Sequence, residues 1–431
     1  MHVYSRAIVI TALFVVGCTA ESEPQSDGLT YWKDVKPIVD KNCVGCHRPG
    51  EIGQGWLTTY NEVGPRAAAI KEAVVSRVMP PWLADGACND YQHDRSLSEE
   101  DIATIAAWAD AGAPEGVPLD MLQEKDQRDG TMSRVDLTLS LPVDYSPLRQ
   151  PDDYRCFLVD WPEADVSYVT GFGVRPGNAS TVHHVIAFIA PPQHVATYQQ
   201  IDANEEGPGY TCYGGPGGPM NQNGGFLGGW APGGPPLDYP EGTGIRMEPG
   251  SKIILQVHYN SVSWDGKPDR TNVDLKIDKS VAREATWAFF TSPTWAFNYD
   301  MPIPAGDPDV EHSFAMDITP FFGGPVAIHD VTLHMHTRGT EATLDILRAD
   351  QNNECLLDIP RWDFNWQYPY RLAQPTTVVA GDQLRITCHF NNSPENQPVI
   401  DGMQTAPQDL NWGEGTHDEM CLGAIYATAP L

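Results

Sequence analysis

Val331-Thr332-Leu333-His334-Met335-His336 reads as a β-strand carrying two imidazoles on one face. In extended backbone, side chains alternate sides, so the histidines two apart project together with an apolar residue between them. Two ring nitrogens set side by side can chelate a metal. Upstream lie the adjacent pair His183-His184 in Thr-Val-His-His-Val-Ile and His258 in Leu-Gln-Val-His-Tyr-Asn, both inside strand-like apolar runs. Near the C-terminus Met420 sits in Asp-Glu-Met-Cys-Leu. Five imidazoles and one thioether divide into two three-ligand sets, and this mixture suits copper, the thioether favouring Cu(I). Zinc is disfavoured because a thioether is a poor ligand for it.

The surrounding pattern is that of an all-β architecture. From Val135-Asp136-Leu137-Thr138-Leu139 to the C-terminus, short alternating segments recur between Gly, Pro, Asn and Asp residues, as in β-sandwiches. Two sandwiches are expected, 135–283 and 284–431, with the boundary near Arg283. The stretch 207–250 is dense in glycine and proline and is expected to form long loops of the first sandwich. Adjacent histidines on a regular strand point to opposite faces, so His183 and His184 can share a metal only if the backbone bulges there. His329, His389 and His417 match no ligand position and are expected to be structural.

The ordered series His-His, Gln-Val-His-Tyr, His-x-His-Thr and Glu-Met-Cys resembles the ascorbate-dependent type II copper monooxygenases, the family of peptidylglycine alpha-hydroxylating monooxygenase and dopamine beta-monooxygenase. The resemblance implies two antiparallel, jelly-roll-like sandwich domains, each carrying one copper on facing surfaces. His183, His184 and His258 would hold the electron-transfer copper. His334, His336 and Met420 would be the catalytic set, holding the copper where O2 is activated to hydroxylate a substrate C–H bond. The resemblance also implies a disulfide between Cys421 and Cys388, whereas the family partner of Cys156 is missing. Gln256 matches the family. The peptide-amidating relatives grip a substrate carboxylate with Arg, Asn and Tyr, and the corresponding residues here are Thr332, Leu422 and Ala424. Peptide amidation is therefore not expected, and the substrate is an unidentified small organic molecule, with ascorbate or a redox protein as electron donor.

Ahead of the strands stands Cys43-Val44-Gly45-Cys46-His47, the attachment signature of c-type haem: two thiols for the vinyl groups, then an axial imidazole. Nearby cysteines in an exported chain can instead form a disulfide or redox pair, but the immediate histidine favours haem. Trp32, Val35, Ile38 and Val39 predict an amphipathic helix leading into the motif. A second helix is predicted from Ser98 through Ile102, Ile105 and Trp108 to Gly112. Residues 29–120 thus resemble a small all-α class I cytochrome c, with Met79 as the favoured sixth haem ligand and His93 its rival. A linker, 121–134, follows.

Residues 1–17 read as a lipoprotein signal peptide. Its apolar run spans about 15 Å as a helix, half of a bilayer core of about 30 Å. Val15-Val16-Gly17-Cys18 resembles a bacterial lipobox, implying a lipid anchor at Cys18, a tether over 18–28, and location in the bacterial periplasm or cell envelope. Of nine cysteines, Cys18 and the haem pair leave six, which are expected to form disulfides. The 431 residues predict several domains, and a formal net charge of -30 argues against nucleic acid as a partner. A reading of another class is a non-catalytic haem and copper carrier, store or redox sensor, which substrate-dependent oxygen consumption would separate from an enzyme.

Overall fold

The computed structural model describes residues 28–49, 53, 55–118, 132–218, 225–232, 234, 236–400, 403–413, 415 and 418–430. The expected export signal, Cys18, most of the expected tether and linker, and His417 lie outside these residues.

The N-terminal part is helical. Tyr31–Val35 and Lys36–Asn42 run into the Cys43–His47 motif, and Ala67–Val75 and Glu99–Asp110 follow. Ser98 caps the last helix, its hydroxyl accepting from Asp101 N at 3.0 Å, which satisfies one N–H that the helix itself cannot. Tyr31, Val35, Val39, Val63, Ile105 and Trp108 form its apolar centre. The chain is drawn closed where Tyr31 N donates to Pro114 O at 2.9 Å.

From Leu137 onward strands are the main regular element, and the ladders are antiparallel except where Arg283–Ala285 runs parallel to Thr243–Ile245. The first sandwich sets strands 137–140, 272–278, 167–175 and 243–247 on one side. Strands 226–230, 182–190, 252–260, 152–160 and 210–211 form the other. In the second, strands 370–378, 326–334, 422–428 and 283–290 face a four-stranded sheet of 310–316, 383–390, 339–347 and 354–359. Strand Arg283–Phe290 belongs to both: it pairs with Leu422–Thr428 on one edge and with Thr243–Met247 and Phe226–Trp230 on the other. The two sandwiches therefore share one continuous sheet. Trp287, Ala424 and Tyr426 pack into the core of the first.

Two expectations need correcting. The glycine-rich stretch 207–250 is not only loop: it supplies strands Phe226–Trp230 and Thr243–Met247. Gly228 lies so close to the Phe172 ring that a Cβ would meet it at 2.6 Å, so glycine here permits strand packing rather than breaking the strand. Second, the helical part is not attached by a linker alone. Residues 82–91 lie along the outer strand Tyr370–Val378, with Gln92 N donating to Arg371 O and Ala373 N to Asp90 O, both at 2.8 Å. This covers backbone groups that an edge strand would otherwise leave unpaired. Ala84 and Tyr91 join the second sandwich's core, and Cys88 is bonded to Cys355. At the linker's far end Met132 N donates to Pro236 O at 2.8 Å, so that end is already seated on the first sandwich.

Candidate metal centre

Strand Val182–Ala190 pairs with Lys252–Asn260, and its register slips between Val182, opposite Tyr259, and His184, opposite His258. His183 is the extra residue. This is the bulge that two adjacent histidines need if they are to face one point, because it breaks the alternation of sides. His183 Nδ1 lies 3.4 Å from His184 Nδ1, and His258 Nδ1 lies 3.3 Å from the same atom. Candidate ligand atoms of all three residues fall within 4.8 Å of one another.

The second sphere fixes the rings. His258 Nε2 donates to Asp152 Oδ1 at 2.9 Å, leaving the Nδ1 lone pair toward the other histidines. Tyr154, directly opposite His258 in the ladder, stacks on it with centroids 4.0 Å apart. Burial holds His183 down at about 4, helped by the neighbouring His258, and pushes His184 well below the ordinary imidazole range. The His183 and His184 nitrogens, held toward the neutral form beside a His258 nitrogen, repel one another as lone pairs and attract a cation. Gln256 donates instead to Cys212 O and Gly215 O, each at 3.1 Å, so it holds the loop that Cys156–Cys212 also pins.

The second group lies at the end of strand Val326–His334. His334 and His336 rings stand 5.1 Å apart and nearly perpendicular. His334 Nδ1 bonds Gln367 Oε1, and His336 Nδ1 donates to Asp418 O at 2.9 Å, so Nδ1 of each ring is engaged and its orientation fixed. The ladder ends at the pair His334–Leu422, and His336 and Met420 each lie two residues beyond it. Met420 is buried, and its neighbour Cys421 is bonded to Cys388, the pairing implied by the resemblance. Glu419, wholly buried, accepts from the backbone N–H of His336 at 2.9 Å and from that of Arg338, clamping the two ligand-bearing segments together. Burial pushes its carboxyl up to about 8 against the pull of those donors and Arg338.

The two groups face each other. His334 and His336 both contribute to lowering the pKa of His184, and the Phe364 ring lies 6.2 Å from His183 and 6.1 Å from His336. Thr332 and Ala424, opposite one another, sit on the ladder beside His334.

In the helical part Cys43 and Cys46 stay as half-buried thiols, and His47 Nδ1 donates to Gly55 O at 3.0 Å, which leaves Nε2 for a ligand. Met79 is half-buried just past helix Ala67–Val75. His93 lines a hollow with Trp82, Tyr368 and Arg371 on the second sandwich. His329 bonds Thr428 Oγ1 at 2.9 Å and His389 lies 3.4 Å from Asp309 Oδ1; neither stands in the two groups. Asp152, Gln367 and Phe364 carry no motif, because only strand register and loop packing bring them to the histidines.

Comparison with known proteins agrees with this arrangement. Residues 141–265 match the N-terminal domain of copper type II ascorbate-dependent monooxygenases and residues 311–427 match the C-terminal domain, together over half of the chain. DBH-like monooxygenase protein 1 of Gallus gallus is 24% identical over 208 residues, and that of Homo sapiens 24% over 213, each match covering 46% of this chain and 32% of the relative. Dopamine beta-hydroxylase of Canis lupus familiaris is 24% identical over 221 residues, covering 46% of this chain and 31% of the relative. The chain thus spans about a third of the length of these relatives. With both domain types present in order and two facing histidine groups within them, the chain belongs to the copper type II ascorbate-dependent monooxygenase family.

Proposed function

We propose that this chain is a copper-dependent monooxygenase that hydroxylates a C–H bond of a small organic molecule with O2. Its electrons come from ascorbate, a redox protein, or a c-type haem carried by residues 29–120. The observation that carries the reading is the convergence of His183, His184 and His258 nitrogens beside the bulge, across Phe364 from His334 and His336. Two coppers fit, one held by those three histidines and one by His334, His336 and Met420.

Copper bound there supplies one-electron chemistry toward O2. The chain's own residues prepare for it. Asp152 fixes the His258 tautomer, while Gln367 and Asp418 O fix the orientation of His334 and His336. Phe364 fills space between the groups with a ring that offers water no hydrogen bond. At Thr332, Leu422 and Ala424 no charged side chain is present to anchor a carboxylate. A buried carboxylate without a partner costs several kcal/mol, roughly, so a substrate lacking one is favoured.

Thiols at Cys43 and Cys46 with an imidazole at His47 fit covalent haem, with Met79 or His93 as the sixth ligand. We further infer export to the bacterial periplasm or cell envelope with a lipid anchor at Cys18, from the leader pattern alone.

The test is oxygen uptake by copper-loaded protein with ascorbate across a panel of small organic molecules. Substrate-dependent uptake with one oxygen atom from O2 in the product is expected, lost in Met420→Ala without loss of haem. Glycine-extended peptides should be poor substrates. Uptake independent of every organic molecule offered, or zinc at both sites in protein isolated without added metal, counts against the reading.

A further inference from the structure

Strand Arg283–Phe290, shared by the two sandwiches, carries an aromatic side chain that neither core takes up. Phe290 joins the core of the second sandwich and Trp287 that of the first, while Phe289 is 54% exposed. Residues opposite one another in an antiparallel ladder project to the same face. Phe289 is opposite Ala424, Ala424 is opposite Thr332, and Leu422 is opposite His334. Side chains two apart on a strand also share a face, so Phe289, Ala424, Leu422, Thr332 and His334 stand on one side of the sheet. Strand spacing of about 4.8 Å and a rise of about 3.4 Å per residue set the Phe289 Cα roughly 12 Å from that of His334. Only Ala424, Leu422 and Thr332 lie between them on that face.

The first sandwich supplies the other wall. On strand Val182–Ala190, His184, Ile186 and Phe188 share one face and lie opposite His258, Gln256 and Ile254. Phe188 meets Phe226 edge-on at 6.1 Å, and Phe226 meets Phe289 edge-on at 5.5 Å. A line from His184 to His334 thus descends through Ile186 and Phe188, crosses the corner at Phe226 and Phe289, and rises through Leu422. At the far end of these walls Phe364 lies 6.2 Å from His183 and 6.1 Å from His336, so the walls face each other. Ile186, Phe226 and Leu422 are half-buried, and no residue along the line between the histidines is charged.

We propose that Phe289 is a specificity-determining residue, receiving the uncharged, apolar body of the substrate whose C–H bond is presented at His334, His336 and Met420. This rests on the reading that those three residues hold copper. An apolar body laid between Leu422 and Phe289 removes the exposed ring from water, which favours binding in proportion to the area covered. A carboxylate in the same place gives up its hydration and meets no cation on this floor. The corner is far enough from His334 for a small molecule to rest on Phe289 at one end and reach the metal group with the other.

The experiment offers ethylbenzene and 4-ethylbenzoate, which differ only in a carboxylate, to full-length protein loaded with Cu(II). Protons bound near Cu(II) give broadened NMR lines, so the affinity of each compound is read without turnover. Copper content and melting temperature are measured for each variant. Wild type should bind ethylbenzene about tenfold or more tightly than 4-ethylbenzoate, and Phe289→Ala should bind ethylbenzene about tenfold less tightly with its copper retained. Phe289→Arg should reverse the preference, which a merely structural role of the ring would not produce. Phe289 is exposed, so neither substitution opens a core. Should Phe289→Ala lose copper, Phe289→Ser is read in the same way. Copper-loaded wild type that does not prefer ethylbenzene, or variants with full copper and wild-type affinities for both compounds, overturns the role of Phe289 and leaves the copper reading standing. Protein that takes up no copper overturns that reading, and the proposal with it.

Discussion

At His183 the backbone departs from regular strand geometry so that three imidazole nitrogens can meet, and burial holds His183 and His184 toward the neutral form. Unfolded histidine takes a proton near pH ~6.5, whereas His183 in the fold resists until about 4. Between those values the unfolded chain binds more protons, so stability is full above the upper value and is lost as pH falls toward the lower. Metal-free protein should therefore melt at progressively lower temperature over that window, and His183→Asn should flatten the decline. An unchanged slope in the variant would show that the ring is not the group responsible. Glu419 acts on the other group. Replacing it by leucine orphans two buried backbone N–H groups, each costing ~1–3 kcal/mol. Glu419→Leu should lower the urea midpoint by an amount corresponding to about 3 kcal/mol or more, with Glu419→Gln less affected. Equal midpoints for both variants and wild type would remove Glu419 from this role.

Among the elements, the strands carrying the histidines were legible in the sequence because their signals are local: alternation of apolar residues, paired imidazoles at spacing two, and a Glu-Met-Cys run. The need for a bulge at His183 followed from the same rule, and Ser98 announced its helix by side-chain chemistry alone. What stayed hidden depends on residues far apart in the chain. Asp152 meets His258 only through register, strand Arg283–Phe290 gives no sign that it will serve two sandwiches, and Cys88 finds Cys355 across 267 residues. The glycines of 207–250 mimic loop composition because close packing and turns both require a missing Cβ. The Cys88–Cys355 bond has a direct consequence. If a protease site is placed within 119–131 and cut, the two fragments should migrate together on a denaturing gel until reductant is added, and separately without it in Cys88→Ser. Separation of the wild-type fragments without reductant would contradict the bond.

Over the whole molecule, one continuous sheet links the two sandwiches and a disulfide-fixed strap docks the helical part on the second, so three chemically different donor sets are held in a fixed relation. Arg371, half-buried and paired with the buried Asp330, donates to Asp238 O at 2.8 Å and stitches the sandwiches beside the docking surface. Sharing a sheet makes relative motion of the sandwiches costly, since it would break a ladder rather than slide a surface. The most direct measurement of the central claim is copper titration of metal-free protein under reducing, anaerobic conditions, read by metal analysis and X-ray absorption. The account predicts two coppers per chain in nitrogen-rich surroundings, with a sulfur contribution that disappears in Met420→Ala while His183→Asn removes copper from the other site. A single copper per chain, or a sulfur contribution unchanged by Met420→Ala, would contradict it.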